Sequence, residues 1–460
     1  MIQRSGLTLC SLLALVLSGC ATAPRTSLPN VQRAVANQSG LAVAWPHADA
    51  EKAQVEQSVA ALLKPELTPD TAAAIALLNN RRLRATFEEL GIAESDFIAA
   101  SRLPNPSFSA SVRWPNERPR SPNVEFGLGL DLLNALLMRA RKNLAGAQLA
   151  AAERRIAHEA LSLATEAKSA AYAVQARQEF RQRVAEILET NEAAADLAQR
   201  QYDAGNISRL DLLQQQASAQ DARLQLSRID AEVRRDREKL NRLLGLWGEQ
   251  TNWQINATLP SAPANEPDFD RLESLAVSQR LDLSAAQSEV AIARTALELK
   301  RKTRLLPASV NVGVDTEREP GGTGNHTHVT GPTLDLTLPV FDQGQADIAR
   351  LSAELRRAES NYEALAIEIR SEVREARDAL LAARAAAMYY DQTVLPQHRA
   401  ILRETLLHYN AMQKSSYELL LAKQQSLEAE RARIEAWRDY WIARAGLERA
   451  VGGRLAEVKS

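Results

Sequence analysis

The stretch Val124-Glu125-Phe126-Gly127-Leu128-Gly129-Leu130-Asp131-Leu132 puts its apolar side chains on one face of an extended chain and its acids and glycines on the other. Strict alternation with a period of two describes a β-strand whose faces meet different surroundings. Just upstream, Phe108, Ala110, Val112 and Trp114 alternate with Ser107, Ser109, Ser111 and Arg113, and the turn-rich segment Pro115 to Pro122 joins the two. Further on, Val310, Val312 and Val314 alternate with Asn311, Gly313 and Asp315, and Leu334, Leu336 and Leu338 alternate with Asp335 and Thr337. Glu319-Pro320-Gly321-Gly322-Thr323-Gly324-Asn325 lies between them as a second turn. Alternating segments of about ten residues are the mark of membrane β-barrel strands, apolar toward lipid and polar toward the lumen. Two surface hairpins packed on helices would show the same alternation.

The hairpins recur because the chain is doubled. Tyr202, Ala204, Ser208, Leu212, Leu213, Ala222, Arg237, Leu240 and Gly245 return in order as Tyr409, Ala411, Ser415, Leu419, Leu420, Ala429, Arg444, Leu447 and Gly452, without insertion or deletion. Such self-similarity means one structural unit used twice. The first copy spans about 66–246, with strands at about 104–114 and 123–133. The second spans 269–452, with strands at about 307–317 and 328–339, and 247–268 is the linker between them. In the first copy a helix is expected from Thr68 to about Ser101, and in the second its partner begins near Asp270. After each hairpin come two long Ala-rich, Leu-periodic helices, about Leu136 to Gln201 and Ile207 to Leu246, then Gly344 to His408 and Lys414 to Val451. Pro396 is expected to kink or break the third of these.

Residues 1–19 combine Arg4, the apolar run Leu7 to Leu17 and the closing Leu17-Ser18-Gly19-Cys20, resembling a bacterial lipoprotein signal that leaves Cys20 as a lipid-modified N-terminus. Ala21, rather than Asp, follows, which in such lipoproteins goes with sorting to the outer membrane. Residues 20–65, with Pro24, Pro29, Pro46 and Pro65, read as an extended lead from that anchor, and 453–460 as a tail. Cys10 and Cys20 are the only cysteines, so no internal disulfide remains after the signal is removed. A formal net charge of -1 gives no basic surface for nucleic acid. No later segment has the apolar length of a membrane helix, so a membrane crossing would have to use strands. Four strands are fewer than the roughly eight of the smallest barrels, and an open edge cannot sit in hydrocarbon. Closure therefore requires several chains, most simply a cyclic homo-oligomer.

Tyr202-Asp203-Ala204-Gly205-Asn206-Ile207-Ser208-Arg209-Leu210-Asp211-Leu212-Leu213 is similar to the helix-tip motif of the TolC-type outer membrane efflux channel family. Leu338-Pro339-Val340-Phe341-Asp342-Gln343-Gly344 likewise resembles that family's passage from the last strand into a long helix. The resemblance implies a mainly α fold with membrane β: four barrel strands and long coiled-coil-like helices per chain, three chains closing a twelve-strand barrel and a helical tunnel. It implies an outer membrane exit duct for small molecules, working with a periplasmic adaptor and an inner membrane pump. It also implies adaptor contacts at the tips, formed by Tyr202, Gly205, Ser208, Tyr409, Met412 and Ser415, and acidic gate or selectivity positions at Asp211 and Glu418 with Lys414 nearby. Met412 stands where the first tip has Gly205, so the two tips are expected to turn differently.

Ser208 with Asp211, and Ser415 with Glu418, also form capping boxes, a helix-start device that is compatible with a gate. His326 and His328 are expected in the second external turn and lack the further ligands of a metal site. No phosphate loop, zinc spacing or nucleophile motif appears, so neither a cofactor nor catalysis is expected. A lipid-anchored periplasmic adaptor would carry one helical hairpin between split β domains, and a coiled-coil structural lipoprotein would give no reason for Asp131 and Asp335 to alternate with apolar neighbours.

Overall fold

The computed structural model describes residues 27–114, 116, 122–263, 271–307, 309–320 and 326–455. The signal segment, Cys20 and the end of the tail lie outside them. Residues 27–65, the described part of the segment 20–65, are not the extended lead expected from its prolines. The described part holds helices α1 (Leu28–Ser39) and α2 (Asp49–Leu63). Pro29 lies in the first turn of α1, where a missing N–H is harmless. Val31 and Val35, then Val55 and Val59, are the four-residue spacings that bury one face of each helix.

The helix expected from Thr68 to Ser101 is two helices, α3 (Pro69–Asn79) and α4 (Arg81–Ala100), with Asn80 extended between them at ψ 124°. Strands β1 (Ser107–Arg113) and β2 (Asn123–Asp131) follow, then a short helix α5 (Leu132–Leu136). Next come α6 (Met138–Asp203) and α7 (Arg209–Leu244). The second copy runs α8 (Leu272–Gln279), α9 (Leu281–Thr303), β3 (Val310–Pro320), β4 (His326–Leu336) and α10 (Gln345–Tyr389). A single π turn, Tyr390–Val394, leads into α11 (Leu395–Asn410), and α12 (Ser416–Val451) completes it. The disturbance expected at Pro396 is this π turn. Leu395 N–H reaches back five residues to Tyr390 O, and the extra residue accommodates the proline ring without ending the rod.

The described residues divide into two compact units, one holding Glu88–Glu153 and Ala285–Tyr362, the other Val31–Phe87, Arg154–Ser284 and Glu363–Ser460. Each unit draws on both sequence copies, so the repeat boundaries are not boundaries of compact bodies. In the first unit the two hairpins form one antiparallel sheet, ordered β1-β2-β3-β4, with the copies joined at β2 and β3. Its register brings like residues into rows. Phe108, Leu128 and Val314 are successive partners, as are Leu130, Val312 and Leu334. The intervening rows are Ser109, Gly127, Asp315 and Gly331, and Asp131, Asn311 and Asp335. The sheet thus has an apolar face, with Phe108 69% and Leu334 61% exposed, and a face of acids, hydroxyls and glycines. A Cβ on Gly127 would come within 2.4 Å of Asp315 Oδ1 and Ser109 Oγ, so glycine is what lets these polar groups lie over the backbone.

In the second unit the middle of α6 packs through small residues, with Ala157, Ala160, Ala164, Ala167 and Ala171 all buried. Ile75, Ala167, Val174, Leu240, Leu244 and Trp253 close one core with α2. The break at Asn80 has a use here. Asn79 Nδ2 donates to Leu244 O (3.1 Å) and Gly245 O (2.8 Å), and Asn80 Nδ2 donates to Leu243 O (2.8 Å), supplying partners to carbonyls that the end of α7 leaves free. The second copy repeats the break at Arg280, ψ 124°, and sends its guanidinium to Ala450 O at the end of α12. Gly245 (φ 68°) and Gly452 (φ 86°) turn these helix ends into left-handed caps. A Cβ on Gly245 would meet Asn79 O at 2.6 Å. Gly245→Ala is therefore expected to destabilise the protein by about 2–4 kcal/mol, combining the left-handed penalty with overpacking, measured as a lowered unfolding midpoint. An unchanged midpoint would remove this cap from the account of the fold.

Candidate functional site at the helix tips

Two short turns, Ala204 to Ser208 and Ala411 to Ser415, connect the long helices within each copy. Their backbones are the same. Gly205 N–H donates to Tyr202 O (2.9 Å) and Asn206 N–H to Gln201 O (2.8 Å); Met412 N–H donates to Tyr409 O (2.9 Å) and Gln413 N–H to His408 O (2.9 Å). Gly205 has φ 76° and Met412 φ 59°. The expectation that the tips turn differently is overturned, because the connection demands a left-handed residue at this point and methionine adopts it. A side chain there costs about 1–2 kcal/mol relative to glycine. Met412 is 94% exposed, so no packing offsets that strain.

Both capping boxes close. At the first tip Asp211 N–H donates to Ser208 Oγ (3.1 Å), while Ser208 N–H donates to Asp211 Oδ2 (3.3 Å). At the second, Glu418 N–H donates to Ser415 Oγ (3.3 Å) and Ser415 N–H donates to Glu418 Oε2 (2.9 Å). The two acids differ in their company. Lys414 Nζ lies 2.5 Å from Glu418 Oε1, and Asp211 has no cationic side chain within ion-pair distance among the described residues. Lys414, helped by the Ser415 backbone N–H, lowers the Glu418 carboxyl to about 2.

Tyr202 and Tyr409 are partly exposed at the ends of their helices, and Leu210 and Tyr417, one residue before each acid, are more than half exposed. His408 was not singled out by the sequence, although its Nδ1 and Gln413 Oε1 are 2.6 Å apart and tie the second turn across its base. A ring just before the turn and an amide five residues further on, within it, were the available signal. His326 and His328 do not lie in the turn expected for them. They belong to β4, where they pair with Pro320 and Arg318. No cluster of three metal-ligating side chains occurs among the described residues. No described helix is long and apolar enough to cross a membrane.

Residues 72–246, from α3 through the first tip to the cap at the end of α7, match the outer membrane efflux protein family. The chain is 24% identical over 370 residues to the cobalt-zinc-cadmium resistance protein CzcC of Cupriavidus metallidurans, covering 79% of this chain and 84% of the relative. Its fold is similar to that of the CmeC outer membrane channel of Campylobacter jejuni, with TM-score 0.71, 16% identity, and 85% and 87% of the two chains covered. It is also similar to the outer membrane protein VceC of Vibrio cholerae, with TM-score 0.65, 18% identity, and 88% and 97% covered. The chain is thus mainly helical, with a small antiparallel sheet, and its fold is similar to that of outer membrane channels.

Two outcomes follow from the tip geometry. Met412→Gly should stabilise the protein by about 1 kcal/mol through relief of the left-handed strain, read in thermal unfolding; no gain would mean that the turn relaxes in solution. The Glu418 carboxyl lies below its ordinary 4.5, so its contribution to the tip is complete above about pH 4.5 and is lost as pH falls toward about 2. Lys414→Met should move its titration midpoint upward in NMR of isotope-labelled glutamate, and an unmoved midpoint would deny the lysine that part.

Proposed function

We propose that this protein is a passive exit duct of an efflux system, anchored at the outer membrane through a lipidated Cys20 and closed by three copies of the chain. The observation that carries this reading is the sheet with an apolar outer face, a polar inner face and two outer strands, β1 and β4, each paired on one side only. Joining β4 of one copy to β1 of the next satisfies every strand edge, and three copies of four strands form a barrel of a size that can enclose a lumen. The polar rows through Asp315 and Asp335 then line the water path. Energy comes from an inner membrane pump, and a periplasmic adaptor bridges the two by docking on the tips around Tyr202, Gly205, Ser208, Tyr409, Met412 and Ser415. The likeness to CzcC makes divalent cobalt, zinc and cadmium the first cargo to assay.

Asp211 and Glu418 cap helices, and in a ring they also present carboxylates to the axis. Glu418 is neutralised by Lys414, so Asp211 is the stronger candidate for attracting cations. The purified protein in detergent should be a trimer and should conduct ions in a planar bilayer; a monodisperse monomer without conductance would end the duct reading. In that bilayer, Asp211→Asn should shift the reversal potential across a salt gradient more than Glu418→Gln does. Equal, unshifted potentials would leave capping as the only role of both.

A further inference from the structure

Within the second compact unit, α6 and α7 on one side and α11 and α12 on the other enclose a cavity of about 370 Å³, a few helical turns behind the two tips. That volume lies in the range of about 300–1,000 Å³ typical of small-molecule sites. Ile187, Leu402, Leu420 and Leu427 give it apolar walls. Asn191, Ser218 and Ser426, all below 10% exposed, give it buried polar groups, and Asn191 Nδ2 reaches Ser218 O only at 3.4 Å. The charged groups around it are unevenly matched. Arg183 pairs with Glu186 (2.9 Å) and Glu430 with Arg399 (3.0 Å). Asp221 and Lys423 also line the cavity, and neither has an ion-pair or hydrogen-bond partner among the described residues. Lys423 is half-buried, and burial alone pushes its ammonium toward the neutral form. A cation so placed gains from an incoming anion what water no longer supplies.

We propose that this cavity binds a small amphipathic anion, its carboxylate or sulfonate on Lys423 and its aromatic or aliphatic body between Ile187, Leu402, Leu420 and Leu427. The ligand would touch both helical hairpins at once. Its binding therefore favours the spacing of α6 and α7 from α11 and α12 that forms the cavity, which makes the site a means of biasing the tips from behind. The inference does not depend on the number of copies or on the cargo.

The test uses the full-length protein in lipid nanodiscs, with empty nanodiscs as the reference, and isothermal titration of 2-naphthoate and of its neutral counterpart 2-naphthalenemethanol. Naphthoate should bind the wild type. Lys423→Met should weaken it by about tenfold or more while changing the neutral compound less than about twofold, and Lys423→Arg should retain most of the naphthoate affinity. Heat no greater than that of empty nanodiscs would overturn the proposal, as would naphthoate affinity unaltered in Lys423→Met. Equal weakening of both compounds in Lys423→Met would overturn it too, since the lysine would then only shape the cavity.

Discussion

A strand paired on one side and immersed in hydrocarbon leaves a row of backbone N–H and C=O groups with neither protein nor water to satisfy them, at several kcal/mol for each group. β1 and β4 are such strands in the single chain, and the face they share is apolar and exposed. The sheet therefore cannot be both membrane-embedded and monomeric. Everything else in the unit that holds it fits that constraint. Apolar residues fall in register with apolar residues in the rows Phe108, Leu128, Val314 and Leu130, Val312, Leu334, and the rows Ser109, Gly127, Asp315, Gly331 and Asp131, Asn311, Asp335 on the opposite face are small or polar, so this part of the sheet has one face suited to lipid and one to water before any second chain arrives. The duplication places the seam between copies at β2 and β3, inside one chain, and leaves the outer strands of the meander for association.

The sequence made the strands legible because a period of two survives substitution so long as each face keeps its solvent, as Val124 to Leu132 does. It made the long helices legible through alanine and leucine spacing, and the tips through the doubled serine-acid pairs. What it hid were features set by long-range contacts. The extended residues Asn80 and Arg280 stand inside good helical sequence, and their reason is the carbonyl end of a helix far along the chain. Residues 28–63 carried four-residue valine spacings, yet their prolines masked them; Pro29 marks a helix start rather than a loop. The histidines of β4 were drawn into the turn by their glycine-rich neighbours, although β3 extends to Pro320 and β4 begins at His326.

At the tips, local chemistry and tertiary demand pull in different directions. Glycine is the residue that a left-handed turn position favours, and the first copy has it. The second copy keeps the same hydrogen bonds with methionine, which shows that the geometry of the turn is fixed by the helices on either side rather than by the residue within it. The comparison of Gly205 with Met412 is therefore a comparison of surface chemistry on one backbone. The same holds for the acids: one capping geometry, with a lysine beside Glu418 and none beside Asp211.

Duplication followed by divergence has a physical consequence for a ring built from such chains. Each chain contributes two helical hairpins with the same tip backbone and different side chains, so a ring of three would have true threefold symmetry and only approximate sixfold symmetry. The differences fall where they can act. The π turn before Pro396 interrupts one long rod and has no counterpart within Met138–Asp203, so the hydrogen-bond ladder of the second hairpin carries a defect that the first lacks. Met412 strains the same hairpin at its far end, and Lys414 holds its acid charged but paired. Backbone irregularity, strain at a left-handed residue and an ion pair all belong to the hairpin that α10, α11 and α12 build, while α6 and α7 are each continuous helices.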